Sequence, residues 1–169
     1  MKSKEGSALE IREQTLYASC VLFNFFIMTY HTVSVESFDP PIQLNKQIRD
    51  MWLDALVSGV YSQCTGLLHD PDDAGFCCLG VLCDIHVRNA PVRKRYKWIP
   101  DWRSSGATYG GCDQLPPERV REYAYIDAYD IRVLRFQSIL AEMNDDGFTF
   151  DDIAAYIEKN TIGVEVTYE

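Results

Sequence analysis

The chain has 169 residues, of which 47% are hydrophobic and 24% charged, and these values are typical of one globular domain with a proper core. Its net charge of -9 argues against duplex nucleic acid as a partner, because lysine and arginine contacts to phosphate supply most of that affinity. The six cysteines could pair, but a chain of this length does not need disulfides. We therefore expect reduced thiols in a cytosolic setting.

The first 44 residues are predicted to be an extension that precedes a globular α+β domain at residues 45–169. The extension contains an apolar segment at residues 16–30, LYASCVLFNFFIMTY, which is shorter than the roughly 20 residues that a membrane-spanning helix needs. Acidic residues precede this segment, which is unlike a secretory signal. We interpret it as a packing helix and expect no membrane partner, with a membrane anchor as the alternative.

The spacing of apolar residues after residue 44 predicts two helices in the first half of the domain. Ile48, Trp52 and Leu56 recur at helical steps and indicate the first helix. The run at residues 76–85 predicts a second helix, and its apolar residues cover most of the circumference, so it belongs in the middle of the fold. Gly80 within this helix indicates the close approach of a neighbouring element.

The second half of the domain is also predicted to be mainly helical. The prolines of Pro116-Pro117 begin one helix, and residues 133–143 carry the apolar stripe of the next. Thr149 is predicted to cap a last helix at residues 150–159. The predicted fold class is α+β: a mainly helical single domain with a small antiparallel sheet and a C-terminal helical hairpin.

Three of the cysteines lie in the run CCLGVLC at residues 77–83. Structural zinc sites present cysteine pairs with CxxC spacing, whereas Cys77 and Cys78 are adjacent and would point to different sides of a helix. Buried core thiols are the simpler interpretation, and we expect no metal and no cofactor. A nucleophilic cysteine at the start of the helix is the alternative, although His86 is too far along the same helix to be its base.

The charge distribution singles out residues 88–103, RNAPVRKRYKWIPDWR, where six lysines and arginines stand against one acid. Aromatic rings beside guanidinium groups can hold a nucleobase by stacking and its phosphates by charge-assisted hydrogen bonds. A solvated edge strand or loop is the alternative, and the glycine-rich segment at residues 104–114 could fold over a bound ligand. The predicted ligand-binding residues are Arg93, Arg95, Tyr96, Lys97, Trp98, Trp102, Arg103 and Tyr109.

Three blocks of the sequence resemble a known family. They are W-x-x-A-L-x-S-G-x-Y-x-Q-x-x-G-x-L at residues 52–68, CCLGVLCD at residues 77–84, and L-x-x-M-N-D-x-G-x-[ST]-F-x-x-I-A-x-x-I at residues 140–157. A Leu-Pro pair at residues 115–116, before a predicted helix, accompanies them. Together they resemble a family of small uncharacterised proteins of tailed bacteriophages and prophages, over about residues 46–160. The resemblance implies a viral protein in a bacterial host, and the family has no established catalytic activity.

These observations favour a phage-encoded, non-catalytic binding protein in the host cytoplasm, which acts in counter-defence by sequestering a nucleotide-derived anionic signal. A second hypothesis is inhibition of a host protein through an acidic surface that includes Asp145, Asp146, Asp151 and Asp152. A cysteine- or metal-dependent enzyme is the third. The sequence leaves open whether the chain forms a homo-oligomer.

Overall fold

The computed structural model describes residues 36–100 and 106–166. From Ser37 onward, the described residues belong to one compact unit, Ser37–Glu169. The predicted apolar segment at residues 16–30 lies outside the described residues, so its interpretation stays a prediction. Among the helices that the structure describes, none is both long enough and apolar enough to cross a membrane.

The described unit is a mixed α+β fold, as predicted, with five α-helices and seven short strands. The helices are α1 (Lys46–Val57), α2 (Cys78–Asn89), α3 (Glu118–Ala124), α4 (Ile131–Asp145) and α5 (Phe150–Asn160). The strands are β1 (Ile42–Asn45), β2 (Ser62–Gln63), β3 (His69–Asp70), β4 (Gly75–Phe76), β5 (Trp98–Pro100), β6 (Ala107–Tyr109) and β7 (Thr161–Val164). Helices α4 and α5 form the predicted hairpin, and Thr149 caps α5 in a capping box with Asp152.

Two small sheets accompany the helices. One has the strand order β2-β4-β3-β6-β5, and all of its pairings are antiparallel except that of β2 with β4. The other is a parallel pair of β1 with β7, which joins the two ends of the described unit. The sequence did not predict this pair, because a contact between segments so far apart in the chain leaves no local pattern. Strand β1 begins at Ile42, before the predicted domain boundary at residue 45, and both Ile42 and Leu44 are buried.

Helix α2 forms the centre of the core. Every residue from Cys78 to His86 is buried, and the helix packs against α1, α3 and α4. A Cβ atom added to Gly80 would lie 1.7 Å from the carbonyl oxygen of Leu68, so the close approach predicted at this glycine is confirmed. The observed helix starts later than the predicted residues 76–85 because Phe76 belongs to β4, and it continues beyond them to Asn89.

One buried side chain, that of Asn144, fastens the start of α2 to the end of α4. Its Oδ1 accepts hydrogen bonds from the Cys78 backbone N–H and from Gln63 Nε2, each 3.1 Å long. Its Nδ2 donates to the carbonyl oxygen of Cys64, 2.7 Å away. The three sequence blocks that carry the family resemblance therefore meet in one hydrogen-bond network, which stabilises the core.

Candidate functional site

The basic segment leaves α2 and runs across the surface to the edge of the larger sheet. After Pro91 the chain makes a 3-10 turn at Val92–Lys94, and only Trp98–Pro100 pairs as a strand, β5. Of the two forms expected for a solvated segment, the loop therefore describes residues up to 97 and the edge strand only Trp98–Pro100, because the proline and the turn after it prevent earlier pairing. The side chains of Arg93, Lys94, Arg95 and Lys97 are exposed, while Tyr96 and Trp98 are half-buried.

Aromatic side chains form a layer beneath this segment. Trp98 of β5 faces Tyr109 of β6, with ring centroids 4.9 Å apart, and the Tyr96 ring stands edge-on to Tyr109 at 5.5 Å. Tyr109 is fully buried, and its hydroxyl accepts a hydrogen bond of 3.2 Å from the Tyr96 backbone N–H. Tyr109 thus holds the segment in place from below rather than offering a surface to a ligand.

The hydroxyl of Tyr109 also meets His86 of α2, at 2.8 Å from Nδ1. Burial, together with the nearby positive charges of Arg95, Arg119 and Lys94, lowers the pKa of His86 to about 4. The imidazole is therefore neutral at pH 7, and its Nδ1 shares a hydrogen bond with the Tyr109 hydroxyl. His86 is therefore a core histidine whose pKa also responds to the positive charges on the nearby surface.

We expect stability to fall as the pH drops from 6.5 towards 4. In this window the unfolded histidine takes up a proton that folded His86, with its lowered pKa, does not accept, so protonation favours the unfolded state. Urea unfolding at pH 7 and at about pH 4.5 should differ by about 2 kcal/mol from this group. In a His86→Gln variant this part of the pH dependence should disappear, and an unchanged slope would contradict the assignment.

Positive charge converges on this aromatic layer from two parts of the chain. Arg119, at the start of α3, lies over the Tyr96 ring with its guanidinium carbon 4.9 Å from the ring centroid. Arg95 is anchored by a hydrogen bond from its Nε to the carbonyl oxygen of Ala90. We define the basic patch as Lys94, Arg95, Tyr96 and Arg119. The sequence did not indicate Arg119, because nothing local connects the first turn of α3 to residues 94–96.

The other predicted ligand-binding residues lie beside or outside the basic patch. Arg93 and Lys97 are exposed and make no side-chain hydrogen bond or ion pair within the described ranges. Trp98 packs against His69 and Phe76, and its Nε1 is buried with no hydrogen-bond partner among the described residues. Trp102 and Arg103 belong to residues 101–105, which lie outside the described residues.

A second feature of the surface is a cleft of about 440 Å³ between the end of α4 and two loops. Helix α4 contributes the carboxylates of Glu142 and Asp145, its C-cap residue contributes that of Asp146, and the loops contribute Leu67 and Leu115. We call it the acidic cleft. Sequence reasoning placed Asp145 and Asp146 on one acidic surface with Asp151 and Asp152, but the last two do not line the cleft, and Asp152 is engaged in the cap of α5.

The cysteines of the central run are buried thiols with raised pKa values. Cys77 is the N-cap of α2, as the nucleophile hypothesis required, and its Sγ accepts the Gly80 N–H at 3.3 Å. Burial nevertheless raises the pKa of Cys77 to about 12, which outweighs the favourable position at a helix N-terminus. Burial also raises the pKa of Cys78 and Cys83. The described part of the chain holds no group of three or more histidine, cysteine or acidic side chains arranged to bind a metal ion.

Comparison with known protein families matches residues 44–161 to DUF8296, a domain of unknown function. The chain belongs to the DUF8296 family. No curated protein and no solved structure matches it. The DUF8296 domain begins in β1 and ends at the first residue of β7, so it contains both the basic patch and the acidic cleft.

Proposed function

We propose that this DUF8296 protein is a non-catalytic binding protein that sequesters a small, nucleotide-derived anion on the basic patch. The observation that supports the proposal most directly is the convergence of Lys94, Arg95 and Arg119 around one aromatic layer. In a protein of net charge -9, three cations so placed create a local positive potential that attracts an anion. The cations belong to two elements, as expected for a binding surface that the fold assembles.

The chemistry of the basic patch suits a phosphate joined to a planar group. The guanidinium groups of Arg95 and Arg119 present forked donors that can bind phosphate oxygens in pairs, and Lys94 adds a point charge. A nucleobase can stack on the exposed part of Tyr96 or on the Arg119 guanidinium plane. None of these steps needs a catalytic group, a metal or a cofactor.

The proposal includes a biological setting. The three sequence blocks that resemble small proteins of tailed phages support a viral protein in the cytoplasm of an infected bacterium. There, the removal of a nucleotide-derived signal would weaken a host defence. In this setting a protein without catalysis is sufficient, provided that it is abundant relative to the signal.

The double variant Arg95→Gln, Arg119→Gln tests the proposed site. Native mass spectrometry with a mixture of linear and cyclic nucleotides should show an adduct of the wild-type protein, and calorimetry should then give its affinity. Because a hydrogen bond to a charged group contributes about 1.5–3 kcal/mol, we expect the double variant to bind at least about 100-fold more weakly.

A control variant, Arg135→Gln, Lys159→Gln, changes the charge equally on α4 and α5, away from the basic patch, and should keep the wild-type affinity. An equal loss of nucleotide affinity in both variants would show that the overall charge of the protein, and not the basic patch, determines binding. The proposed function is wrong if no nucleotide binds, or if the Arg95, Arg119 double variant binds as tightly as the wild type.

A further inference from the structure

We infer that Arg121, Tyr125 and Gln137 form a buried hydration site, where one water molecule bridges α3 to α4. The inference does not depend on the proposed function, since none of these residues belongs to the basic patch. Three observations support it: four buried polar atoms of these residues lack a partner in the described part of the chain, these atoms converge in the core, and together they offer both donors and acceptors.

The unpartnered polar atoms of the core are concentrated in these three residues. Within the described ranges, five buried side-chain nitrogen and oxygen atoms have no hydrogen-bond partner, and four of them are Arg121 Nε, the Tyr125 hydroxyl, and Nε2 and Oε1 of Gln137. Gln137 is fully buried and Tyr125 is only 3% exposed, so bulk solvent does not reach their side chains. Buried polar groups are nearly always hydrogen-bonded, and an ordered water is the usual partner where the protein supplies none.

The four atoms come together where α3 ends against α4. Tyr125 follows Arg121 by one helical turn, and its backbone N–H donates to the Arg121 carbonyl oxygen at 2.8 Å. Burial raises the pKa of Tyr125, whereas the Gln137 amide and the Arg121 charge act to lower it, so both groups lie close to the hydroxyl. No hydrogen bond of acceptable length and angle joins the three side chains directly. They are neighbours that a third group can connect.

The surroundings of the cluster are fixed and leave room only for a small molecule. Helix α2 packs on both α3 and α4, and its Cys78 thiol donates to the Leu140 carbonyl oxygen, 3.4 Å away and one turn beyond Gln137. The Arg121 guanidinium is held through Nη1, which donates to the Pro116 carbonyl oxygen at 3.0 Å. None of the three residues of the cluster lines the acidic cleft. An occupant therefore has to fit inside the packed core.

The hydrogen-bonding roles of the cluster select water over an ion. Arg121 Nε can only donate, the Tyr125 hydroxyl can donate and accept, and the Gln137 amide has a donor end and an acceptor end. Because both ends of the amide are unpartnered, exchanging them does not change this requirement. A halide only accepts hydrogen bonds and an ammonium ion only donates them. Water does both, and a buried water typically makes about three hydrogen bonds.

A high-resolution crystal structure tests the site directly. We expect one density peak within about 2.7–3.2 Å of at least three of the four unpartnered atoms. Crystals grown with bromide as the halide should give no anomalous signal at this peak. The inference is overturned if the peak is absent and the side chains bond directly to one another, or if bromide occupies the site.

The sign of the stability change in Gln137→Leu gives a second test. If water completes the amide, leucine leaves the water and its other partners short of a bond, and the melting temperature should fall by at least about 3 °C. If the amide is unpartnered, its removal should leave the melting temperature unchanged or raise it. Asn89→Leu replaces an exposed asparagine and should melt like the wild type.

Tyr125→Phe keeps the test decisive if Gln137→Leu does not fold, because it removes only the hydroxyl and adds no volume. A water bridge predicts a lower melting temperature here too, together with a density peak that keeps its contacts to Arg121 and Gln137. An unchanged or raised melting temperature in Tyr125→Phe would contradict the inference. Nucleotide binding at the basic patch is measured separately, so the two proposals can fail independently.

Discussion

Replacing Gly80 with alanine is expected to destabilise the protein by at least about 3 kcal/mol. The new methyl group would lie 1.7 Å from the carbonyl oxygen of Leu68 and 2.7 Å from its carbonyl carbon. This carbonyl cannot move away easily, because it accepts the Cys77 N–H while the Leu68 N–H donates to Asp113. Alanine is otherwise the better helix former by about 1 kcal/mol, so the sign of the change tests the close approach itself.

Urea unfolding followed by circular dichroism would measure the effect of Gly80→Ala, and recovery of soluble protein would reveal a larger loss. Gly111→Ala is a suitable control, since a Cβ atom there meets nothing within 4 Å and only the backbone angle φ of +83° opposes it. That variant should lose about 1 kcal/mol. A Gly80→Ala protein as stable as the wild type would show that α2 and Leu68 are further apart than described.

Helical periodicity predicted the helices of this domain well, because each apolar stripe and each cap is formed by residues close together in the sequence. Ile48, Trp52 and Leu56 are buried on α1 as expected, and Thr149 starts α5. The strands were not predictable in the same way, because several contain only two residues and cannot show an alternating pattern. The pairing of β1 with β7 joins distant parts of the chain, such as Ile42 with Thr161, so no local pattern predicts it.

The candidate sites were predictable only in part, for a related reason. Residues 93–97 were found from their local charge, but Arg119 joins them through the position of α3, and Tyr109 is too buried to meet a ligand directly. The acidic cleft combines the end of α4 with loop residues such as Leu67 and Leu115, which are distant in the chain. The charge of one segment can be read from its sequence, whereas the shape of a cavity depends on residues that only the folded structure brings together.

The blocks that carry the family resemblance describe the core of the domain more than its candidate sites. Gln63, Cys78 and Asn144 come from the three different blocks and form one network. The basic patch lies between the second and third blocks and belongs to neither. The resemblance therefore concerns the core of the fold and does not extend to residues 94–96 and 119.

The variant Asn144→Leu is expected to lose about 4 kcal/mol of stability. Leucine has a similar volume, but it leaves the Cys78 N–H and the Cys64 carbonyl without their partner, and each buried polar group left unpaired costs about 1–3 kcal/mol. The variant should also release Gln63, whose side chain bridges from Asn144 to the Phe148 carbonyl.

Two controls separate the network from the loss of a single amide. Asn89→Leu removes an exposed asparagine that bonds only to its own helix, at the Ile85 carbonyl, and should change stability by less than about 0.5 kcal/mol. Gln63→Ala removes one arm of the network from the outside and should cost about 1 kcal/mol. If Asn144→Leu costs no more than Gln63→Ala, water replaces the missing amide, and the start of α2 is held by packing with Trp52, whose Nε1 donates to the Cys78 carbonyl at 2.9 Å. If it costs several times more, Asn144 is the residue that joins α2 and α4 into one core.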